Sequence, residues 1–209
     1  MIEGRALGPM GANCYLYSCR ESKKAVIIDP GADGKKIQRW VLDKGLKVDY
    51  ILLTHGHVDH IGAVDELRVL LGDVQVGIHA DDAGMLTDAK KNLSSYLGSG
   101  LVLQSADFLL QDGQGIMVGN ELLTVISTPG HSPGGVCFLG TEGLISGDTL
   151  FAGSIGRTDF PGGSLEQLLK GVKDKLMILP DATKVFPGHG EETSIGEEKR
   201  DNPYIQGPI

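Results

Sequence analysis

No run of apolar residues in this chain approaches the ~20 needed to cross a bilayer, so nothing in it reads as a membrane span. A basic excess is missing too. Nineteen Lys and Arg stand against 27 Asp and Glu, a formal net charge of −8, with a pI near 5.2. That leaves no electrostatic footprint for nucleic acid. Cysteine is scarce, with Cys14, Cys19 and Cys137 alone. An odd count, with no apolar export signal in the opening MIEGRALGPM, argues against a disulfide framework. The three thiols lie in strand-like runs and read as buried and reduced, so the cytoplasm is the expected compartment. Linkers and low-complexity stretches are also missing. Residues 1–209 therefore read as a single domain, long enough to bury roughly 70% of its unfolded surface.

Glycine, by contrast, is abundant: 31 of 209 residues, about twice the usual ~7%. Such a chain has many tight turns and close backbone approaches. Ile2 to Arg5 spell IEGR, a protease recognition sequence, but they run straight into the first strand region and read as native. NCYLYSC (13–19) and KAVIID (24–29), separated by RESK, form a hairpin signal. Residues 33–45 show helical spacing at Ile37, Trp40 and Val41, with Asp33 as an N-cap and Gly45 as a stop. VDYILLTH (48–55) suits a strand buried on both faces, 61–72 a helix, and 74–80 a strand. GIMVG, LLTVIST, GVCFLG and GLISGD supply four more strands between 115 and 148. Residues 162–180 carry Ser164 and Gln167 as a capping box before an apolar face of Leu165, Leu168, Leu169, Val172 and Leu176. TKVFPGHG (183–190) closes the series as a strand and turn. The stretch 87–107 is the least legible and reads as a helix with a lid-like loop. Strand pairs alternating with helices in both halves fit two sheets covered by helices on their outer faces.

The chemistry concentrates in LLTHGHVDHIGA (52–63), which holds His55, His57, Asp59 and His60 where a buried strand meets a helix. Four metal-capable groups within six residues are hard to explain as packing, because burying them unpaired would cost several kcal/mol. Other strand ends carry isolated groups of the same kind. His131 follows VIST, Asp148 follows GLISG and His189 follows KVFPG, each beside Gly or Pro. The stiff turn PGHSPGG fixes an imidazole where a ligand must sit. His79 also ends a strand and reads as structural or supporting. Seven groups exceed four-coordination at one ion. They suit two metals about 3.5–4 Å apart sharing one carboxylate.

THGHVDHIGA, PGHSPGG, SGDTLFAGSIGRTDFPGG and FPGHG together resemble the metallo-β-lactamase superfamily, in its small glyoxalase II-like (hydroxyacylglutathione hydrolase-like) branch. The resemblance runs from NCYL to EEKRDNPY. It implies an α/β fold, the four-layered αβ/βα sandwich of the metallo-β-lactamase type, with the site on one edge. It further implies that His55, His57 and His131 hold one metal, that Asp59, His60 and His189 hold the other, and that Asp148 bridges them. Hydroxyacylglutathione hydrolases continue well beyond their last histidine, and their glutathione-gripping Lys and Tyr stretches have no counterpart in TLFAGSIGRTDFPGG. The resemblance thus carries the hydrolase chemistry better than that substrate. A β-lactamase is disfavoured because lactamases differ at the position of Asp148. The RNA-processing branch is disfavoured because the chain is acidic.

The expected function is binuclear metal-dependent hydrolysis of a small thioester or acyl ester. Two ions lower the pKa of water between them from 15.7 toward ~7 and polarise the carbonyl. Asp148 and Asp59 are the expected catalytic carboxylates, one bridging and the other holding the attacking water. Zinc is the first choice of metal, and iron or manganese is also compatible. Arg157 is expected to meet a substrate carboxylate. The alternative is a persulfide dioxygenase, an oxidoreductase that also carries an RTDF stretch, as at 157–160, and uses one iron on the equivalents of His55, His131 and Asp148. The acyl group, the thiol carrier and the oligomeric state are not written in the sequence.

Overall fold

A computed structural model describes residues 1–98 and 100–206. The first half runs β1 (Ile2–Leu7), β2 (Ala12–Ser18), β3 (Lys24–Ile28), α1 (Gly34–Asp43), β4 (Lys47–Leu52), α2 (Val58–Ile61), α3 (Val64–Leu71), β5 (Gln75–His79), α4 (Ala83–Leu86) and β6 (Phe108–Leu110). The second half runs β7 (Gly115–Val118), β8 (Glu121–Ser127), β9 (Val136–Gly140), β10 (Gly143–Gly147), β11 (Leu150–Phe151), β12 (Ser154–Ile155), α5 (Leu165–Gly171), β13 (Lys184–Pro187), β14 (Thr193–Ser194), α6 (Ile195–Asp201) and α7 (Pro203–Gln206).

Side-chain alternation along the strands dictates the layering, because successive residues of a strand face opposite sides. In β2, Cys14 and Leu16 pack with Ile37, Trp40 and Leu67 of the helices outside. Tyr15 and Tyr17 point the other way, toward Val125, Phe138 and Ile145 of the second sheet. In β9 and β10, Cys137 and Leu144 turn outward onto Leu168, Val172 and Leu176. The result is helix, sheet, sheet, helix: the four-layered αβ/βα sandwich. One sheet has the order β1-β2-β3-β4-β5-β6 and the other β14-β13-β10-β9-β8-β7. Phe138, fully buried between them, is one of the largest side chains in the central core. Burial of a side chain of that size stabilises by about 1.5–3 kcal/mol.

Strand direction then decides where function can sit. β3 and β4 are parallel. β8 and β10 are both antiparallel to β9, and β13 is parallel to β10. The C-terminal ends of β3, β4, β8, β10 and β13 therefore reach one edge of the sandwich, where the two sheets face each other. Cross-sheet hydrogen bonds pin that edge: Val136 N–H to the Thr54 carbonyl at 2.8 Å, Asn13 N–H to the Gly188 carbonyl at 2.7 Å, and the Tyr15 hydroxyl to the Pro187 carbonyl at 2.7 Å.

Several expectations need correction. The helix expected over 61–72 breaks at Gly62 and Ala63, so Asp59 and His60 ride on the single turn α2 and α3 starts at Val64. Asp33 does not cap α1 with its side chain. It sits at φ 60, and its carboxylate accepts from the Gly8 N–H and Lys36 instead. The helix over 162–180 is α only to Gly171 and continues as a π-type turn through Leu176. Ser164 does cap it, accepting from the Gln167 N–H at 3.3 Å, but Leu165 is exposed. Residues 87–107 hold no α-helix among those described, only a 3-10 turn at Ser94–Leu97. Residues Ile2–Leu7 pair along their whole length with β2. The three cysteines are free and buried.

Candidate metal centre

The expected site residues arrive at strand ends or on the helical turn just beyond one. His55 and His57 follow β4, Asp59 and His60 sit on α2, His131 follows β8, Asp148 follows β10 and His189 follows β13. The structure brings all seven together. His55, His57 and His131 form one group of potential ligands, and Asp59, His60 and His189 another, with donor atoms in each within 4.8 Å of one another. Asp148 lies between them. Its Oδ1 is 3.4 Å from His60 Nε2, and its Oδ2 is 3.5 Å from His131 Nε2 and 3.8 Å from His189 Nε2. Gly188 permits this: a Cβ there would collide with the Asp148 carboxylate.

Hydrogen bonds on the far side of each ring decide which nitrogen faces the centre. His131 Nδ1 donates to the Arg157 carbonyl at 2.7 Å, so Nε2 carries the lone pair inward. His60 Nδ1 donates to Asp29 at 3.0 Å. The Thr54 hydroxyl donates to the same Asp29 oxygen at 2.6 Å, and its oxygen then accepts from His55 Nδ1 at 3.0 Å. One carboxylate thus orients two imidazoles. Asp29 itself is held at φ 52, an uncommon conformation that Asp tolerates better than most residues. Asp29, His55 and His60 also lie within ligand range of one another. However, the Asp29 oxygens already accept from Thr54 N–H, Thr54 Oγ1 and His60 Nδ1, so it supports the ligands from behind.

A second buried carboxylate braces the loops. Asp82 accepts from the Gly56 N–H at 3.1 Å, the Ser132 hydroxyl at 2.7 Å and the Gly134 N–H at 2.6 Å. It ties the His55–His57 loop of one sheet to the His131 loop of the other. Sequence reasoning missed both Asp29 and Asp82. For Asp29 a signal existed, since DPG ends a buried strand beside the strand that leads to His55. His79 stays outside the cluster and accepts from the Asp81 N–H at 3.3 Å, a local turn contact. The Arg157 side chain is exposed and forms a two-point pair with Asp159, both contacts at 2.7 Å.

Whether the residues fit metal is answered by what they lack. Among the described residues, His55 Nε2, His60 Nε2 and Asp148 Oδ1 are buried without any hydrogen-bond partner. Unpartnered buried polar atoms are costly, and three of them aimed into one space fit cations. Electrostatics agree. Burial and the neighbouring imidazoles push His55 well below its usual range and His57 down to about 3, so both stay neutral. Burial would raise Asp59, but His189 and His60 outweigh it and hold the carboxyl ionised. His60 goes the other way. Burial opposes its charge, yet Asp148, Asp29 and Asp59 raise it to about 10 in the metal-free chain.

A profile of the metallo-beta-lactamase superfamily matches residues 7–189. The chain belongs to this superfamily. Within it, a probable metallo-hydrolase of Bacillus subtilis, YqgX, is 41% identical over 96% of this chain and 95% of its own length. The hydroxyacylglutathione hydrolase GloC of Haemophilus influenzae is 34% identical over 92% of both. Among solved structures, BLEG-1, a B3 metallo-beta-lactamase, superposes with a TM-score of 0.94 at 40% identity, covering 99% of this chain and 100% of that one. TTHA1623 in a di-iron-bound form gives 0.83 at 37% identity, over 97% and 99%. ETHE1 from Myxococcus xanthus gives 0.78 at 29% identity, over 97% and 83%. Superfamily membership and the two His/Asp groups together point to a site for two metal ions.

Proposed function

We propose that the chain is a binuclear metallo-hydrolase of thioesters or related acyl esters. The observation that carries this is the convergence of two separate ligand triads on one carboxylate, Asp148. In this reading His55, His57 and His131 hold one ion, Asp59, His60 and His189 hold the second, and Asp148 bridges. Zinc suits the imidazole-rich first triad, while the carboxylate in the second also accepts iron or manganese. When bound, such ions lower the pKa of water toward ~7 and polarise a substrate carbonyl.

The chain's own residues do the rest. Asp59, ionised and 3.1 Å from His189 Nε2, holds the attacking water by a hydrogen bond and aims it at the carbonyl carbon. The Phe160 ring stands edge-on to His57 at 5.2 Å, and Phe151 edge-on to His189 at 6.3 Å. These rings wall the reacting groups against bulk water, which strengthens every charge interaction inside. The thioester preference draws on the similarity to the Haemophilus influenzae enzyme. The alternative, a mononuclear iron dioxygenase on His55, His131 and Asp148, would use Asp59, His60 and His189 only as surrounding groups, and the number of ions per chain separates the two readings.

The test combines metal analysis with assays on the same protein. Two ions per chain are expected, with thioester hydrolysis abolished by a chelator and restored by metal. A chromogenic β-lactam is the second substrate, because the match to a B3 metallo-beta-lactamase is 40% identical. Thioester turnover undiminished in metal-free protein, or β-lactam turnover exceeding thioester turnover, overturns the proposal.

A further inference from the structure

The cavity in front of the metal-ligating groups has a volume of about 750 Å³. Beyond the His and Asp side chains, and apart from Ser154 and Arg157, its wall is mainly apolar, with Met10, Leu93, Tyr96, Leu97, Phe151 and Phe160 among its members. Three of these are among the chain's exposed large hydrophobics: Met10 at 43%, Tyr96 at 75% and Leu97 at 59%. They serve no core. Exposed apolar groups gathered at one site mark a binding surface. Tyr96 and Leu97 are presented by a short turn that follows Leu93, which is held at φ 68. A non-glycine residue in that region is uncommon and points to a constraint. A second recess of about 470 Å³ adjoins the cavity across Met10, Val58 and Leu97, and adds Leu7, Pro9 and Leu101.

Charge narrows the occupant further. Among the described residues, Arg157 is the one Lys or Arg on the cavity wall. Its Nε and Nη2 both bind Asp159, and its guanidinium lies 4.1 Å from the centroid of the Phe160 ring. Its charge is thereby matched, and Asp59 and Asp148 on the same wall are taken up by the ions they would hold. Beyond the two ions of the hydrolase reading, an anionic carrier such as glutathione meets no unpaired side-chain cation on this wall among the described residues.

We infer that the substrate is a thioester or ester with an extended apolar acyl group and an uncharged leaving arm. This rests on the hydrolase reading above. The acyl chain lies along Phe151, Phe160 and Tyr96 and passes the Met10–Leu97 seam into the second recess. The carbonyl then stands over Asp148. A fully buried CH₂ corresponds to about 0.8 kcal/mol, or roughly fourfold in kcal-to-rate terms, and a half-buried one to about twofold.

The experiment uses the full chain loaded with metal. Thioesters of uncharged N-acetylcysteamine with two-, four-, six- and eight-carbon acyl groups are compared with glutathione thioesters of the same acids. From two to eight carbons kcat/KM is expected to rise at least ~50-fold, about twofold for each of six half-buried CH₂ groups. Each N-acetylcysteamine ester is expected to exceed its glutathione counterpart at least tenfold. Leu97→Ser and Tyr96→Ser change exposed side chains and should lower the slope of log kcat/KM on chain length by about half. Turnover with a flat slope, or a preference for glutathione esters, overturns the inference and leaves the hydrolase reading standing. Binding of 1-octanol against 1-butanol, read from methyl shifts of Met10 and Leu97, gives an arm independent of turnover. Octanol binding without hydrolysis of any ester sinks the hydrolase reading but supports the apolar site. Equal binding of both alcohols overturns the inference.

Discussion

Replacing Asp29 by Asn tests the orientation argument most directly. The carboxylate serves three donors: Thr54 N–H at 2.8 Å on Oδ1, and Thr54 Oγ1 at 2.6 Å with His60 Nδ1 at 3.0 Å on Oδ2. An amide offers only one oxygen. If that oxygen faces the Thr54 N–H, the NH₂ faces His60 Nδ1 and donates to it. The imidazole proton then moves to Nε2, the atom that should carry the inward lone pair. If the amide flips, the buried Thr54 N–H loses its acceptor, at about 1–3 kcal/mol. Thr54's hydroxyl can also turn and donate to His55 Nδ1, so the first triad weakens as well. One effect opposes these: losing a carboxylate loosens the His60 proton, which favours metal uptake. Asp59 and Asp148 still face Nε2 at 3.7 and 3.4 Å, so the proton is only partly released and the amide conflict prevails. The expected net result of Asp29→Asn is about tenfold weaker binding of the second ion, the low end for groups that support ligands from behind. Competition with a chromophoric chelator measures it, and nitrogen-15 shifts of His60 report the tautomer. Affinity unchanged within about twofold, with the proton still on Nδ1, refutes the reasoning.

His189→Ala leaves the His55–His57–His131 triad intact. Metal content should fall toward one per chain and kcat by roughly 10² or more, comparable to loss of an oxyanion donor; full thioesterase activity at one ion would contradict the two-metal proposal. In the metal-free chain His60 is raised by its carboxylates to about 10. A raised histidine stabilises the fold fully below its unfolded value of about 6.5, and that contribution is lost as pH rises through about 10. Urea midpoints of metal-free protein should therefore fall between pH 6.5 and 10 and fall less in His60→Gln; identical slopes would dismiss the assignment. Phe138→Ala empties a fully buried position between the sheets and should cost about 3–5 kcal/mol, roughly 10 °C in Tm for a chain of this length. A shift under about 3 °C in a calorimeter would show that the central core collapses around the gap.

The clustering of the seven His and Asp groups was legible because they stand at or just beyond the ends of apolar runs, where packing gives them no reason to be. The four layers followed from the resemblance and agree with the strand and helix pattern. Asp82 was not legible, and Asp29 showed only as a DPG strand end, because their partners lie 25 and more residues away in sequence and only the fold brings them close. The break at Gly62 was hidden by a continuous apolar pattern on either side of it. Residues 87–107 stayed obscure because their order comes from tertiary hydrogen bonds. Asn92, fully buried, donates to the Met85 and Leu101 carbonyls at 2.9 and 3.0 Å and accepts Val58 N–H on its own carbonyl at 3.0 Å.

The strand directions have a consequence for how the folded chain persists. Each proposed triad takes two groups from the first sheet's loops and one from the second sheet's, so neither half could grip either ion alone. Metal held there would act as a clasp across the sandwich. A ligand that binds only the native state at a thousand times its Kd adds about 4.1 kcal/mol, and two such ions add about 8. That rivals the whole 5–15 kcal/mol by which domains exceed their unfolded states. Starved of metal, the chain should part along the seam between its sheets before either sheet melts, and the supply of metal would then govern its lifetime as well as its turnover.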